Sequence, residues 1–407
     1  MKRVKIGIVG SFHVANFGDE LLLNTLIKRI NQNIEGYFSY ADYVVPFGAK
    51  NLTDKIKLDS KSTVRVIDKL SGLSNVDFVV FGGGGYLSEP PRLIDYKEGS
   101  RWWFDRVEEN SFLYKLPFGR FIGCNRPNRD NLKKLLRYNS IARFCRLNKI
   151  PYYIFATGVG PFNSSAGMYL VRNILRNAQS IWVRDQESID YCKKLSGVTA
   201  KLCPDIVLSD ISLESEFSIP KRDASVISLH VGQLSSTSQE DAIIELAALL
   251  GRFYCKCRFQ LLIDSRSPAQ KRFKHRLMSE MRNINVCYYD NDLDEFVNKI
   301  KESALLITTK LHTGIVAYCY SVPVVSLYAH PKTERFYRQI GLTNLSMSFS
   351  EFESLGAEYL FNILWGDSAL NLSSTLSEYN TERRRILLDQ FNVRLNELLE
   401  TALKKSN

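Results

Sequence analysis

Short apolar runs alternate with amphipathic stretches along most of the chain. Residues 4–10 form a β-type run ending in glycine, and a polar loop and a helical pattern over 18–30 follow it. Leu22, Leu26 and Ile30 share one face of that helix, and Asp19 and Glu20 fill its first turn. Apolar strand runs recur at 76–81, 152–156 and 181–183, with helical patterns at 166–177 and 186–195. After the polar segment 204–220 the alternation restarts, with strands at 225–229, 259–263, 285–289, 304–307 and 323–327. Helices are expected there at 241–253, 293–301 and 312–320. Buried strands alternating with amphipathic helices predict parallel sheets covered on both faces. The expected organisation is an N-terminal α/β domain over 1–218, a second over 219–380, and a final helix over 381–407. In that helix Leu388, Phe391, Leu395, Leu398 and Ala402 make one apolar stripe, which either docks on a domain or crosses back between the two.

Length and composition agree with this picture. The chain has 407 residues, enough for two or three domains of ordinary size. A charged fraction of 24% and a hydrophobic fraction of 45% exclude a disordered chain, a collagen-like repeat and a disulfide mini-protein. Eight cysteines include no CxxC pair, and Cys255 and Cys257 have no nearby histidine, so no metal site is expected. The scattered thiols read as reduced cysteines of a cytoplasmic protein. The N-terminal apolar run is too short for a signal peptide. The longest uncharged apolar stretch, 313–329, contains Pro323 and falls short of the roughly 20 residues a membrane span needs.

Charge changes the picture in one place. The chain carries a net charge of +11, and residues 92–149 hold 14 Lys/Arg against 6 Asp/Glu, together with Trp102, Trp103 and Phe104. A basic, aromatic insertion suits an anionic membrane surface or a phosphorylated substrate, or is a solvated helical insertion. No nucleic-acid motif is present, so nucleic acid is not an expected partner.

Ligands of parallel sheets bind beyond the carboxyl ends of the strands, and the glycine clusters of this chain lie at such ends. Asn16-Phe17-Gly18-Asp19 precedes the first helix, and it is neither a Walker loop nor a GxGxxG turn. It reads as a tight turn or as a ligand-facing backbone. Gly82-Gly83-Gly84-Gly85 is entropically costly, which favours a backbone surface set against a ligand, with Glu89 close by to bind or deprotonate a hydroxyl. Lys310-Leu311-His312 stands where a strand meets a helix. Cations at a helix N-terminus oppose its dipole unless an anion binds there. Lys332 follows the next strand and should lie near His312. His330 is weaker as a candidate, and His13, His230 and His275 lack such company. Arg184 ends a strand and is placed to hold a phosphate or carboxylate, with Asp185 as the helix cap after it.

At these residues the sequence resembles the polysaccharide pyruvyl transferase family. The matching motifs are Asn16-Phe17-Gly18-Asp19, Gly82 to Glu89, Arg184-Asp185 with Ser188, Pro204-Asp205, Lys310-Leu311-His312, and Pro323 through Lys332. Lys310 stands where the family usually has arginine, which keeps the charge but loses a bidentate fork. Glu89 stands where the family usually has aspartate. The resemblance implies a GT-B-like pair of Rossmann-like domains with parallel sheets facing a cleft, the first on the acceptor side and the second on the donor side. It implies transfer of the enolpyruvyl group of phosphoenolpyruvate, a co-substrate, to a sugar of a bacterial surface-polysaccharide precursor, with no further cofactor. The acceptor would be a galactose- or mannosamine-type residue. If it is lipid-linked, the basic insertion would hold the enzyme on the inner membrane face. On this reading His312 and Glu89 are catalytic, Arg184, Lys310 and Lys332 bind the donor, and Asn16, Asp19, Gly83, Gly84 and Gly85 cradle the acceptor. A nucleotide-sugar glycosyltransferase and a non-catalytic glycan-binding protein of the same fold are the alternatives.

Overall fold

The computed structural model describes residues 3–12, 16–34, 37–48, 56, 62–89, 129–162, 164–209, 226–232, 234, 237–253, 258–264, 268–281, 284–290, 292–328, 330–365 and 369–406. Most of the basic insertion, 92–128, lies outside them. Contacts divide the chain into two compact units. One comprises Met1–Ala15, Leu22–Ile206 and Asp389–Asn407; the other comprises Asn16–Leu21 and Val207–Leu388. The division falls after Ile206, earlier than the break expected at 218, and residues 16–21 group with the second unit.

The first unit is built on a parallel sheet of β1 (Arg3–Val9), β2 (Tyr40–Pro46), β3 (Thr63–Ile67), β4 (Phe78–Gly82), β5 (Tyr152–Thr157), β6 (Ile181–Val183) and β7 (Lys201–Leu202). Their spatial order is β3-β2-β1-β4-β5-β6-β7. The central strands are apolar because helices cover both faces: Ile6, Ile8, Val79, Val80, Ile154 and Phe155 are all buried. The helices are α1 (Phe17–Ile34), of which residues 22–34 belong to this unit, α2 (Arg129–Leu147), α3 (Ser165–Arg176) and α4 (Gln186–Ser196). Ser164 caps α3 by accepting from Gly167 N, and Asp185 caps α4 by accepting from Ser188 N.

The second unit repeats the plan with β8 (Val226–His230), β9 (Arg258–Ile263), β10 (Ile284–Tyr288), β11 (Leu305–Thr308), β12 (Val324–Tyr328) and β13 (Ser346–Ser348). Their order is β10-β9-β8-β11-β12-β13, again parallel. Its helices are α5 (Thr237–Phe253), α6 (Pro268–Glu280), α7 (Leu293–Lys301), α8 (Leu311–Cys319), α9 (Pro331–Gln339) and α10 (Phe349–Trp365). In both sheets the order reverses between the first and fourth strands, which places a topological switch point at β1/β4 and another at β8/β11.

A last helix, α11 (Ala369–Ser406), starts before the expected position 381. Its residues from Asp389 on belong to the first unit. There Phe391 meets Phe155 at 5.5 Å between ring centroids, and Trp182 Nε1 donates to Glu397 Oε2 (3.0 Å). Phe391, Leu395, Leu398 and Ala402 are buried as the stripe predicted, with Leu387 joining them in preference to the half-buried Leu388. Among the described residues no helix is long and apolar enough to cross a membrane.

Candidate active site

The switch point of the second unit carries a concentrated polar cluster. His230 ends β8, Asp264 follows β9, and Lys310 follows β11 as the residue before α8. His230 is fully buried. Its Nδ1 lies 2.6 Å from Thr313 Oγ1, and its Nε2 lies 3.4 Å from Asp264 Oδ1. Gln270 Nε2 donates to the same Asp264 oxygen (3.0 Å), and Lys310 Nζ stands 3.4 Å from Asp264 Oδ2. Burial would push the Asp264 carboxyl up. The charges of His230 and Lys310 and the hydrogen bonds from His230 and Gln270 outweigh it and hold that carboxyl well below the usual carboxylate range. Lys310 is therefore tethered at its tip by an ionised, buried aspartate.

The Asn16-Phe17-Gly18-Asp19 turn belongs to the same unit. Asn16 Oδ1 accepts from Asp19 N (3.0 Å) and Asn16 Nδ2 donates to Asp19 Oδ2 (2.7 Å), which closes the turn at the start of α1. Phe17 is buried between Phe296 and Tyr289, with ring centroids 4.6 Å and 5.7 Å away. Tyr289 donates its hydroxyl to Glu20, and burial together with that bond pushes its pKa up. Gly18 sits directly on His312: a Cβ built on it would lie 2.3 Å from His312 Nδ1. The turn is thus the wall against which the imidazole rests. His312 is half-buried in the first turn of α8, which carries no acidic residue there. Lys332 lies in the first turn of α9, after β12, the hydrogen-bonded neighbour of β11. His330 is the α9 cap, its Nδ1 accepting from Lys332 N (3.2 Å).

In the first unit, residues 83–89 run beside 157–161. Gly158 N donates to Gly84 O, Gly160 N to Leu87 O and Glu89 N to Pro161 O, all within 2.9 Å. Gly83 and Gly84 have φ of +70° and +73°, which favours glycine at both. Part of the glycine run serves the protein's own packing: a Cβ on Gly85 would come within 2.9 Å of Arg184 Nη2, and one on Gly158 within 2.9 Å of Arg184 Nε. Arg184 does not present a free guanidinium. It is buried over these glycines, with Nη1 3.3 Å from Asp205 Oδ2 and Nε 3.6 Å from Asp185 Oδ2. Glu89 likewise faces inward. It is fully buried, and its Oε2 accepts from Ser164 N (2.9 Å) and Ser164 Oγ (2.6 Å), next to the N-terminus of α3. Ser188 Oγ accepts from Val159 N (2.8 Å), so Arg184-Asp185, Ser188 and Pro204-Asp205 act as one brace for the two loops.

The structure therefore gathers Asn16, Gly18, Asp19, Lys310 and His312 in the second unit, and Gly83–Gly85, Glu89 and Arg184 in the first. It adds Asp264, a polar residue directly after an apolar strand, His230, which closes β8, and Thr313, in the first turn of α8. Among the described residues no group of three or more His, Cys, Asp or Glu side chains is arranged to hold a metal ion.

Two parallel sheets in Rossmann order, each with its polar or glycine-rich loops at the switch point, define a GT-B-like α/β protein. Solved structures share this fold. UDP-GlcNAc 2-epimerase from Neisseria meningitidis bound to UDP-GlcNAc matches at a TM-score of 0.57 and 9% identity, covering 98% of this chain and 100% of that one. UDP-GlcNAc 2-epimerase from Methanocaldococcus jannaschii matches at 0.54 and 10%, covering 98% and 100%. UGT2 from Phytolacca americana, complexed with UDP-2fluoro-glucose and pterostilbene, matches at 0.52 and 13%, covering 99% and 100%. No curated protein matches the chain significantly. The model of the polysaccharide pyruvyl transferase family matches residues 16–331, and the chain belongs to that family.

Proposed function

We propose that this protein transfers the enolpyruvyl group of phosphoenolpyruvate to two hydroxyls of a sugar in a surface-polysaccharide precursor, forming a cyclic pyruvate ketal and releasing phosphate. The observation that carries the reading is the pairing of Lys310 and His312 at an acid-free helix N-terminus on the β8/β11 switch point. Backbone N–H groups and the helix dipole favour an anion there, and a small donor bearing both carboxylate and phosphate needs several cations. Lys310 would bind one anionic group, with Lys332 at the neighbouring strand end assisting.

His312, protonated, would give its proton to the methylene carbon of the donor, turning it into a methyl and leaving positive charge on the central carbon. A sugar hydroxyl then bonds to that carbon, and its proton returns to the neutral imidazole. Attack by the second hydroxyl closes the ketal and breaks the bond to phosphate, which leaves with the second proton. Atoms and charge balance without any redox partner. Proton transfer of this kind is worth about 10²–10⁴-fold in rate. Asp264 would act by holding Lys310.

The buried setting of Arg184 and Glu89 favours indirect roles for both: they brace the loops 83–89 and 157–161, whose backbone at Gly84 would meet the acceptor. The test is to incubate the protein in heavy water with phosphoenolpyruvate and galactose- or N-acetylmannosamine-bearing acceptors. Stoichiometric phosphate and a ketal methyl carrying one deuterium are expected. Phosphate release without a ketal methyl, or turnover of a nucleotide sugar in its place, would overturn the proposal.

A further inference from the structure

The opposite edge of the first unit carries a second concentration of charge. Residues 129–149 hold seven Lys or Arg against one Asp, most of them on α2. The inner stripe of α2 is buried through Leu135, Tyr138, Ile141, Ala142 and Cys145. Its outer stripe puts Leu136, Arg143 and Leu147 in one line, at intervals of seven and four residues. Leu147 is 67% exposed and Leu136 46%, and Tyr169 on the neighbouring α3 is 47% exposed. Two adjoining recesses of about 660 and about 370 Å³ open beside this stripe and share Arg146, Tyr152 and Asn177. Arg143, Arg146, Lys149 and Arg176 supply their charge, and among the described residues no carboxylate lines either one. Arg176 Nε donates to the Ser196 carbonyl (3.4 Å). The larger recess reaches Ile150-Pro151-Tyr152, at the entry to β5. It therefore lies at the N-terminal end of that strand, away from the loops at the carboxyl ends.

We propose that this face of α2 and α3 docks on an anionic lipid bilayer, with headgroup phosphates entering the basic recesses. The cations alone would suit any phosphate. The exposed leucines and tyrosine select the lipid source, because apolar side chains beside cations gain only where an acyl boundary and headgroups are both present. Docking by this edge leaves the carboxyl-end loops of the first unit unobstructed. It uses residues separate from those given catalytic or donor-binding roles, so it stands or falls independently of the transfer reaction.

The test is sedimentation of the full chain with phosphatidylcholine vesicles, with and without one-third phosphatidylglycerol. Binding is expected only to the anionic vesicles, and it should weaken with salt. Each basic residue near such a surface multiplies partitioning about fivefold, so Arg146→Gln/Lys149→Gln/Arg176→Gln should weaken it by roughly 100-fold. Leu147→Ser, which keeps every charge, should weaken it roughly tenfold. These residues are exposed, so both variants should melt as the parent does. Undiminished binding of either variant would overturn the proposal, since the rest of the basic insertion would then account for attachment. A protein that ignores vesicles but is stabilised by inorganic phosphate or glycerol phosphate would overturn it equally.

Discussion

Gly18→Ala tests whether the Asn16-Phe17-Gly18-Asp19 turn exists to seat His312. The added methyl would lie 2.3 Å from His312 Nδ1, 3.1 Å from Cγ and 3.2 Å from Cβ. Rotating the ring relieves only the first of these contacts, because the side chain is met at its root as well as its tip. The turn cannot easily retreat, since Phe17 is buried against Phe296 and Tyr289. Ordinary carbon contacts begin near 3.5 Å, so the imidazole must shift by about 1 Å. Overpacking of this kind costs about 1–3 kcal/mol of stability. A misplacement of about 1 Å costs on the order of 100-fold in rate. The variant should therefore lose a few degrees of melting temperature and about two orders of magnitude in kcat, with a smaller change in KM for phosphoenolpyruvate. The assay is phosphate release alongside thermal melting. Parent-like kcat together with parent-like melting would refute the argument.

Other outcomes follow from the same geometry. His312→Ala should lower kcat by about 10²–10⁴-fold while the protein still melts cooperatively; an unfolded variant would place the imidazole in the core instead. Asp264→Asn leaves buried His230 beside an untethered Lys310, so stability should fall by about 3–5 kcal/mol in chemical denaturation. Its KM for phosphoenolpyruvate should rise more than kcat falls. Because folding holds the Asp264 carboxyl below its unfolded value of about 3.9, its contribution is complete above that pH and is lost as pH falls further. Melting of the parent should thus drop more steeply below about pH 4 than melting of the Asn variant. Phe391→Ala, which removes a fully buried ring stacked edge-on against Phe155, should cost about 3–5 kcal/mol.

The alternation of apolar runs with helical stretches revealed both parallel sheets, because buried parallel strands must be apolar on both faces. Strands β2 and β3, and the short strands β7 and β13, escaped that reading. β2 carries Asp42, whose charge is matched by Arg3 and by Thr63 Oγ1 (2.6 Å), and such pairing is invisible before the strands are aligned. β3 is the half-exposed edge strand. The position of Lys310 and His312, between the end of β11 and the start of α8, was legible from the apolar run before them and the helical pattern after them. Asp264 and His230 were passed over because each is isolated in sequence, and only the β9-β8-β11 order brings them to Lys310. Arg184 and Glu89 were expected to meet ligand. Their spacing showed that they stand at loop ends but could not show that Asp205 and Ser164 would bind them inward.

The central claim is that the cations at the start of α8 belong to a phosphoenolpyruvate site, and ligand-dependent melting tests it without knowledge of the acceptor. A ligand that binds only the folded state stabilises it by RT ln(1 + [L]/Kd), about 2.7 kcal/mol at one hundred times Kd. Phosphoenolpyruvate should raise the melting temperature of the parent, should do so far less for Lys310→Met, and UDP-GlcNAc should have no effect. A parent protein stabilised by UDP-GlcNAc and indifferent to phosphoenolpyruvate would contradict the account.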